Sequence, residues 1–130
     1  MPQSEQEWKK RLSPQAFRVL REKATELPFT GKLLYTKEKG AYACAGCGAE
    51  LFSSETKFDS GSGWPSFWDA AKEKIELKED YSPGMKRVEV RCKNCGGHLG
   101  HVFDDGPKQT GKRYCINSCA VEFKKAKQRK

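Results

Sequence analysis

Cys115 is the residue in this sequence best placed to do chemistry. It lies in Gly111–Phe123, GKRYCINSCAVEF, where Arg113, Tyr114, Cys115 and Ile116 alternate like a half-buried β-strand. Alternate strand residues share a face, so Arg113, Cys115 and Asn117 line up with a cation and an amide flanking the sulfur. The thiolate is the reactive form of cysteine, and a guanidinium beside it favours that form by charge. A buried cysteine packing as a small hydrophobe is the plainer alternative. The polar company on its face favours a nucleophilic or redox thiol.

The only two histidines, His98 and His101, fall in GGHLGHVFDDG, Gly96–Gly106. Imidazole titrates close to neutral pH, so beside a redox thiol it is a natural proton donor. A carboxylate such as Asp105 can orient one ring. Ser60–Trp68, SGSGWPSFW, is a Gly-rich loop closing on aromatics. Trp64, beside small residues, suits an apolar wall for a small substrate group. Phe67 is a second candidate for that wall, with a core ring behind a turn as its simpler reading.

Cys44-Ala-Gly-Cys47-Gly48 and Cys92-Lys-Asn-Cys95-Gly96 are two C-x-x-C-G units that extend in register to Leu51 and Leu99. Two residues between cysteines let one tight turn aim both sulfurs at a single ion, and the glycine after each pair tolerates the backbone such a turn needs. Four thiolates match the tetrahedral preference of Zn²⁺. With 44 residues between the pairs, the metal would pin two distant hairpins. Thioredoxin-like C-x-x-C chemistry is the competing reading, but it lacks a βαβ context. A Cys92, Cys95, His98, His101 site would leave Cys44 and Cys47 unexplained. The expectation is one structural Zn²⁺ held by Cys44, Cys47, Cys92 and Cys95, with no open position for catalysis.

The elements that must position these groups fit one domain over the 130 residues, with a core of about 12–123 and a basic tail, 124–130. With 36% hydrophobic and 32% charged residues, the core is modest and metal support is plausible. The net charge of +8 lies partly in the tail, read as a solvated or frayed end. No aromatic-plus-basic platform supports nucleic-acid binding. The sequence has no signal-peptide pattern and no apolar run near the ~20 residues that span a bilayer. The reading is a cytoplasmic monomer without nucleic-acid or membrane partners, whose six cysteines serve metal or redox chemistry rather than disulfides.

Ser13 caps a helix that has Pro14 at its first position and a Leu12–Phe17 staple. Phe17, Leu20 and Ala24 share its face, and it is expected to end near Leu27-Pro28. Trp8 and Leu12 suggest a preceding helical turn. Lys32–Tyr35 and Ala41–Ala43 read as a hairpin delivering Cys44. Ile75 with Leu77, and Val88 with Val90, read as two strands around the turn Tyr81-Ser82-Pro83-Gly84, the second delivering Cys92. The fold class expected is mainly β: antiparallel sheets with short N-terminal helices and zinc-pinned hairpins.

Together C-A-G-C-G, F-D-S-G-S-G-W-P-S-F, C-x-x-C-G-G-H-L-G-H-V-F-D-D-G-P and G-x-R-Y-C-I-N-S resemble the B-type methionine sulfoxide reductases, from about Leu12 to Phe123. The resemblance implies a fold of two antiparallel sheets and reduction of the R epimer of methionine sulfoxide in proteins. Cys115 matches the thiol that attacks the sulfoxide sulfur and becomes a sulfenic acid. His101 matches the proton donor, with His98 and Asp105 in support. Arg113 matches the residue favouring the thiolate, Asn117 a nearby polar partner, and Trp64 the wall for the substrate methyl. The four C-x-x-C cysteines match the family's zinc site.

Many members carry a second cysteine in the loop, as S-G-C-G-W-P-S-F, where this chain has Ser62. Cys119 is then the only other candidate to resolve the sulfenic acid. In an extended strand residues four apart lie ~13 Å from each other, beyond the ~7 Å Cα separation a disulfide spans. The apolar parity changes between Ile116 and Val121, so a bulge or bend near Asn117-Ser118 is compatible with the pattern. The favoured expectation is a structural Cys119 and recycling by an external reductant of thioredoxin or glutaredoxin type.

Overall fold

A computed structural model describes residues 4–81 and 86–125. Two helices open the described residues. Ser4 caps α1 (Glu5–Arg11) and Ser13 caps α2 (Pro14–Glu22), where Ser13 Oγ accepts from Ala16 N at 3.2 Å. The buried face of α2 carries Ala16, Phe17, Val19 and Leu20, the spacing of an amphipathic helix. The helix stops five residues before Leu27, short of the expected end. Lys23 takes the left-handed conformation at φ 61° and Ala24 N donates back to Arg18 O at 2.9 Å, a helix-terminating turn.

Among the described residues nine strands follow: β1 (Gly40–Cys44), β2 (Glu50–Ser53), β3 (Lys57–Phe58), β4 (Ser66–Phe67), β5 (Ile75–Asp80), β6 (Arg87–Cys92), β7 (His98–Phe103), β8 (Arg113–Ile116) and β9 (Val121–Lys125). They form two antiparallel sheets, β2-β1-β9 and β3-β4-β8-β7-β6-β5. The core gathers Tyr42, Leu51, Phe52, Phe67, Val90, Leu99, Tyr114 and Ile116. α2 packs on β7 and on the 3-10 turn Ser118–Ala120. The fold is mainly β with two short helices, as the residue pattern implies.

Two local expectations are corrected. Lys32–Tyr35 is not a strand: the segment turns, held by Leu33 N on Ser118 Oγ at 2.9 Å and by Lys57 Nζ on Leu34 O at 2.7 Å. β1 takes β2 and β9 as partners instead. Lys124 and Lys125 are not tail but the end of β9, paired with Ala41 and Gly40. The expected bend after Ile116 is a 3-10 turn that carries the chain from one sheet into the other. The strands around Ile75 and Val90 do pair, in register from Ile75↔Cys92 to Asp80↔Arg87. Ser82, Pro83 and Gly84 of the expected turn, and residues 126–130 of the tail, lie outside the described residues.

Candidate active site and cysteine cluster

Strand register builds the site. Cys115 on β8 lies opposite His101 on β7 and Ser66 on β4, and His101 lies opposite Glu89 on β6. Residues paired across antiparallel strands project to the same face, so three non-local segments converge on one sulfur. The approach of β7 and β8 requires a glycine. A Cβ on Gly100 would sit 2.0 Å from Cys115 O.

The sulfur lies at a cavity of about 300 Å³ lined by Ser62, Trp64, Arg87, His101, Arg113 and Asn117, among others. Cys115 is only 8% exposed. Arg113 Nη1 donates to Cys115 Sγ at 2.7 Å, while Nε and Nη2 grip Asp105 Oδ1 and Oδ2 at 2.8 and 3.1 Å. The guanidinium also lies 4.4 Å from the Phe103 ring centroid. Asp105 therefore positions Arg113 and does not touch a histidine, which corrects the expectation for it. The guanidinium in turn holds the Asp105 carboxyl below its usual range.

The imidazoles take other carboxylates, neither singled out in the sequence. His101 Nε2 meets Asp80 Oδ2 at 2.8 Å and His98 Nδ1 meets Glu89 Oε2 at 2.7 Å. Asp80 and Glu89 are 5% and 3% exposed, and Lys23 Nζ bridges them at 3.4 and 3.5 Å. The early end of α2 gives Lys23 this reach. Burial pushes the His98 pKa down, against the pull of Glu89. Among the described residues its Nε2 is buried without a hydrogen-bond partner.

Trp64 is aimed by a backbone contact. Its Nε1 donates to Glu26 O at 2.9 Å. Glu26 also anchors the far end of β8: its N donates to Asn117 Oδ1 at 2.9 Å, and its carboxylate accepts from Ser118 N and Cys119 N at 2.8 and 3.2 Å. Asn117 Nδ2 donates to Leu99 O at 2.9 Å. Asn117 thus lines the cavity while tying β8 to β7. Phe67 leaves the candidate wall: it is fully buried, its ring stacked 4.5 Å from Phe52 and edge-on to Tyr42 at 5.0 Å. Its strand neighbour Ser66 faces the sulfur, and strand alternation sends Phe67 the other way.

Cys119 lies apart from this cavity. It lines a different one, of about 470 Å³, with Glu26, Leu33 and Phe123. Burial and the Glu26 carboxylate push its pKa up to about 12.

The four C-x-x-C cysteines meet at a second centre. All four sulfurs lie within 4.8 Å of one another, and all are free thiols. The Cys44–Cys95 and Cys47–Cys92 contacts are 3.6 and 3.5 Å. That is far beyond an S–S bond of ~2.05 Å and close to the ~3.8 Å edge of a tetrahedron with 2.3 Å metal–sulfur bonds. The two turns match: Gly48 N donates to Cys44 O at 2.8 Å and Gly96 N to Cys92 O at 2.7 Å, with φ of 82° and 75° at the two glycines. Hydrogen bonds from Cys44 and Cys95 hold the Cys92 thiol well below its usual range, while those with Cys92 and Cys95 push Cys44 up. Packed thiols cannot all ionise without a cation among them, so the donor set fits a metal ion.

A family model described as the SelR domain matches residues 12–125. The chain belongs to the B-type methionine sulfoxide reductases. A relative from Methanosarcina barkeri, "Peptide methionine sulfoxide reductase MsrB", is 62% identical over 122 residues, 93% of this chain and 86% of that one. The MsrB of Leptospira interrogans is 55% identical over 123 residues, covering 94% of each chain. The mouse "Methionine-R-sulfoxide reductase B3, mitochondrial" is 56% identical over 92% of this chain and 48% of that protein. A solved structure, the Mis18 "Yippee-like" domain, shares the fold at TM-score 0.57 with 14% identity, covering 70% of this chain and all of that one. For a B-type reductase the sequence signals were Cys115, Arg113 and the two histidines. Glu26, Asp80, Glu89 and Lys23 carried none, because each sits in an ordinary charged stretch whose burial is decided by strands far away in the chain.

Proposed function

We propose that this B-type reductase converts peptidyl methionine (R)-sulfoxide to methionine through attack of Cys115 on the sulfoxide sulfur. The observation that carries the reading is Arg113 Nη1 at 2.7 Å from Cys115 Sγ in a cavity that His101 and Trp64 also line. The thiolate supplies two electrons to the substrate sulfur. The sulfoxide S–O bond breaks, an S–O bond forms on Cys115, and one proton completes the sulfenic acid as methionine leaves. His101, held by Asp80, is the proton donor, with His98 beside it at a ring separation of 5.4 Å. Trp64 walls the substrate methyl, and Asn117 holds the end of β8 at the cavity.

A thiol reductant of thioredoxin or glutaredoxin type then supplies two thiols. They regenerate Cys115 and release water and a disulfide. Cys119 does not resolve the intermediate in this reading. Its separate cavity and a pKa near 12 keep it a protonated thiol at neutral pH, and the thiolate is the attacking form.

Cys44, Cys47, Cys92 and Cys95 would hold a structural Zn²⁺, which would supply a cross-link between the sheets rather than a step of the reaction. Among the described residues no helix is long and apolar enough to cross a membrane.

The test is single-turnover reduction of a peptidyl methionine-R-sulfoxide without added reductant, counting thiols lost per methionine formed. One thiol lost, with dimedone-reactive sulfenic acid at Cys115, is expected for wild type and for Cys119→Ser. No methionine would overturn the reductase reading, and two thiols lost only when Cys119 is present would restore it as the resolving cysteine.

A further inference from the structure

Besides Arg113, the sulfur proposed above as the nucleophile meets three hydroxyls, on β4 and the loop before it, that join into one chain. Ser66, opposite Cys115 across the strand pair and 1% exposed, has its Oγ 3.7 Å from Cys115 Sγ. Ser62 Oγ is 3.5 Å from the same sulfur. Ser60 Oγ connects them, at 2.8 Å from Ser62 Oγ and 2.7 Å from Ser66 Oγ, both ordinary O–H···O distances. The loop is held from within. Ser62 N donates to Ser60 Oγ at 3.3 Å, Trp64 N to Ser62 Oγ at 3.4 Å, and Gly61 N to Asp59 Oδ1 at 3.0 Å.

Proton counting gives this chain a direction. Each serine hydroxyl has one proton and two lone pairs. Trp64 O only accepts, and Ser66 Oγ donates to it at 3.0 Å. Ser60 then donates to Ser66. Ser62 is the one hydroxyl whose proton has a choice. While Cys115 is a thiol, its S–H points to Ser62 or Ser66 and Ser62 donates to Ser60. When Cys115 is a thiolate, the sulfur becomes an acceptor only, and Ser62 turns its proton onto it. Ser60 keeps the amide of Ser62 as a donor, so no group in the chain is stranded in either state.

We propose that Ser62 donates a hydrogen bond to the Cys115 thiolate, and that Ser60 and Ser66 form the hydroxyl chain that lets it turn as the sulfur loses and regains its proton. Ser62 and Ser66 touch the reacting sulfur and are catalytic residues in that sense; Ser60 is a positioning residue. The inference rests on Cys115 being the nucleophile, and a hydrogen bond to an ionised acceptor is among the stronger ones.

The experiment reads Cys115 alkylation by iodoacetamide at pH 7, followed peptide by peptide by mass spectrometry, beside single-turnover methionine formation. Far-UV circular dichroism and thermal unfolding control for folding. Ser62→Ala is expected to slow both reactions about tenfold, the scale of one hydrogen bond to a charged group. Ser62→Thr, which keeps the hydroxyl, is expected within about twofold of wild type, and Ser60→Ala slows both about threefold without touching the sulfur. Alkylation of Ser62→Ala at the wild-type rate would overturn the proposal, as would equal losses in Ser62→Ala and Ser62→Thr. An unchanged Ser60→Ala would remove the chain and leave an isolated contact. If wild type forms no methionine while alkylation still depends on the Ser62 hydroxyl, the reductase reading fails and the hydrogen bond stands.

Discussion

Arg113 shows how much one side chain is asked to do. Its fork grips Asp105 on two nitrogens, its plane covers Phe103, and the third nitrogen is left for the sulfur. Lysine offers a point charge without the fork. Arg113→Lys should therefore keep a cation nearby yet lose its aim. The expected result is a loss of about tenfold or more in single-turnover methionine formation, with Arg113→Ala lower still. Asp105→Asn should fall between wild type and Arg113→Lys, since it weakens the grip and leaves the cation in place. If Asp105→Asn matched Arg113→Ala, the carboxylate would have a role of its own beyond holding the guanidinium. Cys119 offers the contrasting case of a thiol kept quiet. With its pKa raised to about 12 by burial and Glu26, thiolate is a minor form at every pH below that value. Alkylation of Cys119 should stay slow through pH 9 and rise only in strong alkali, as measured by peptide mass spectrometry across a pH series.

Among the elements, β7 and β8 carry the site because they run closer than any side chain would allow at Gly100. A methyl there would meet Cys115 O at 2.0 Å and Ile116 Cα at 3.0 Å, and backbone atoms cannot swing aside as a flexible side chain can. Gly100→Ala is expected to destabilise the fold by roughly 1–3 kcal/mol or more and to lower methionine formation further, because the displaced strand carries Cys115. Denaturant unfolding and single-turnover kinetics on the same sample separate the two effects. The helices matter through what they cover. Trp8 stacks under Arg21 at 4.8 Å and lies against Gly46 in the first cysteine turn, while Arg21 Nη1 donates to Cys95 O at 2.9 Å. A loose α1 would uncover the cysteine cluster before it disturbed the cavity.

For the whole molecule the cysteine cluster is the tie between the sheets. Cys44 ends β1 in the three-stranded sheet and Cys92 ends β6 in the six-stranded one. A structural metal typically contributes ~10–16 kcal/mol of binding energy at neutral pH, comparable with the ~5–15 kcal/mol total stability of a domain. Stripping the proposed metal with a strong chelator should abolish the cooperative thermal transition and the far-UV strand signal, with metal content falling in step. Retention of both signals after complete removal would show that the core alone holds the sheets together.

The local pattern was sufficient for the groups whose chemistry is written in their neighbours. The cysteine pairs with their glycines, the Ser13 cap, Cys115 beside Arg113, and the mainly β character all follow from spacings of a few residues. Burial was not legible in the same way. Asp80 and Glu89 lie in IELKED and RVEVRC, which read as ordinary half-exposed strands, yet both end up buried against histidines from a third strand. Lys32–Tyr35 has strand-like residues, and side-chain bonds from Ser118 and Lys57 hold it as a turn instead. The registers across β4, β8, β7 and β6 decided which serine, which imidazole and which carboxylate meet the thiol. Register is set by how two faces pack, and a shift of one residue would send each of these groups to the opposite side of the sheet. The sequence by itself determined which chemistry was available. The tertiary structure decided the partners, because those contacts join residues that only packing brings together.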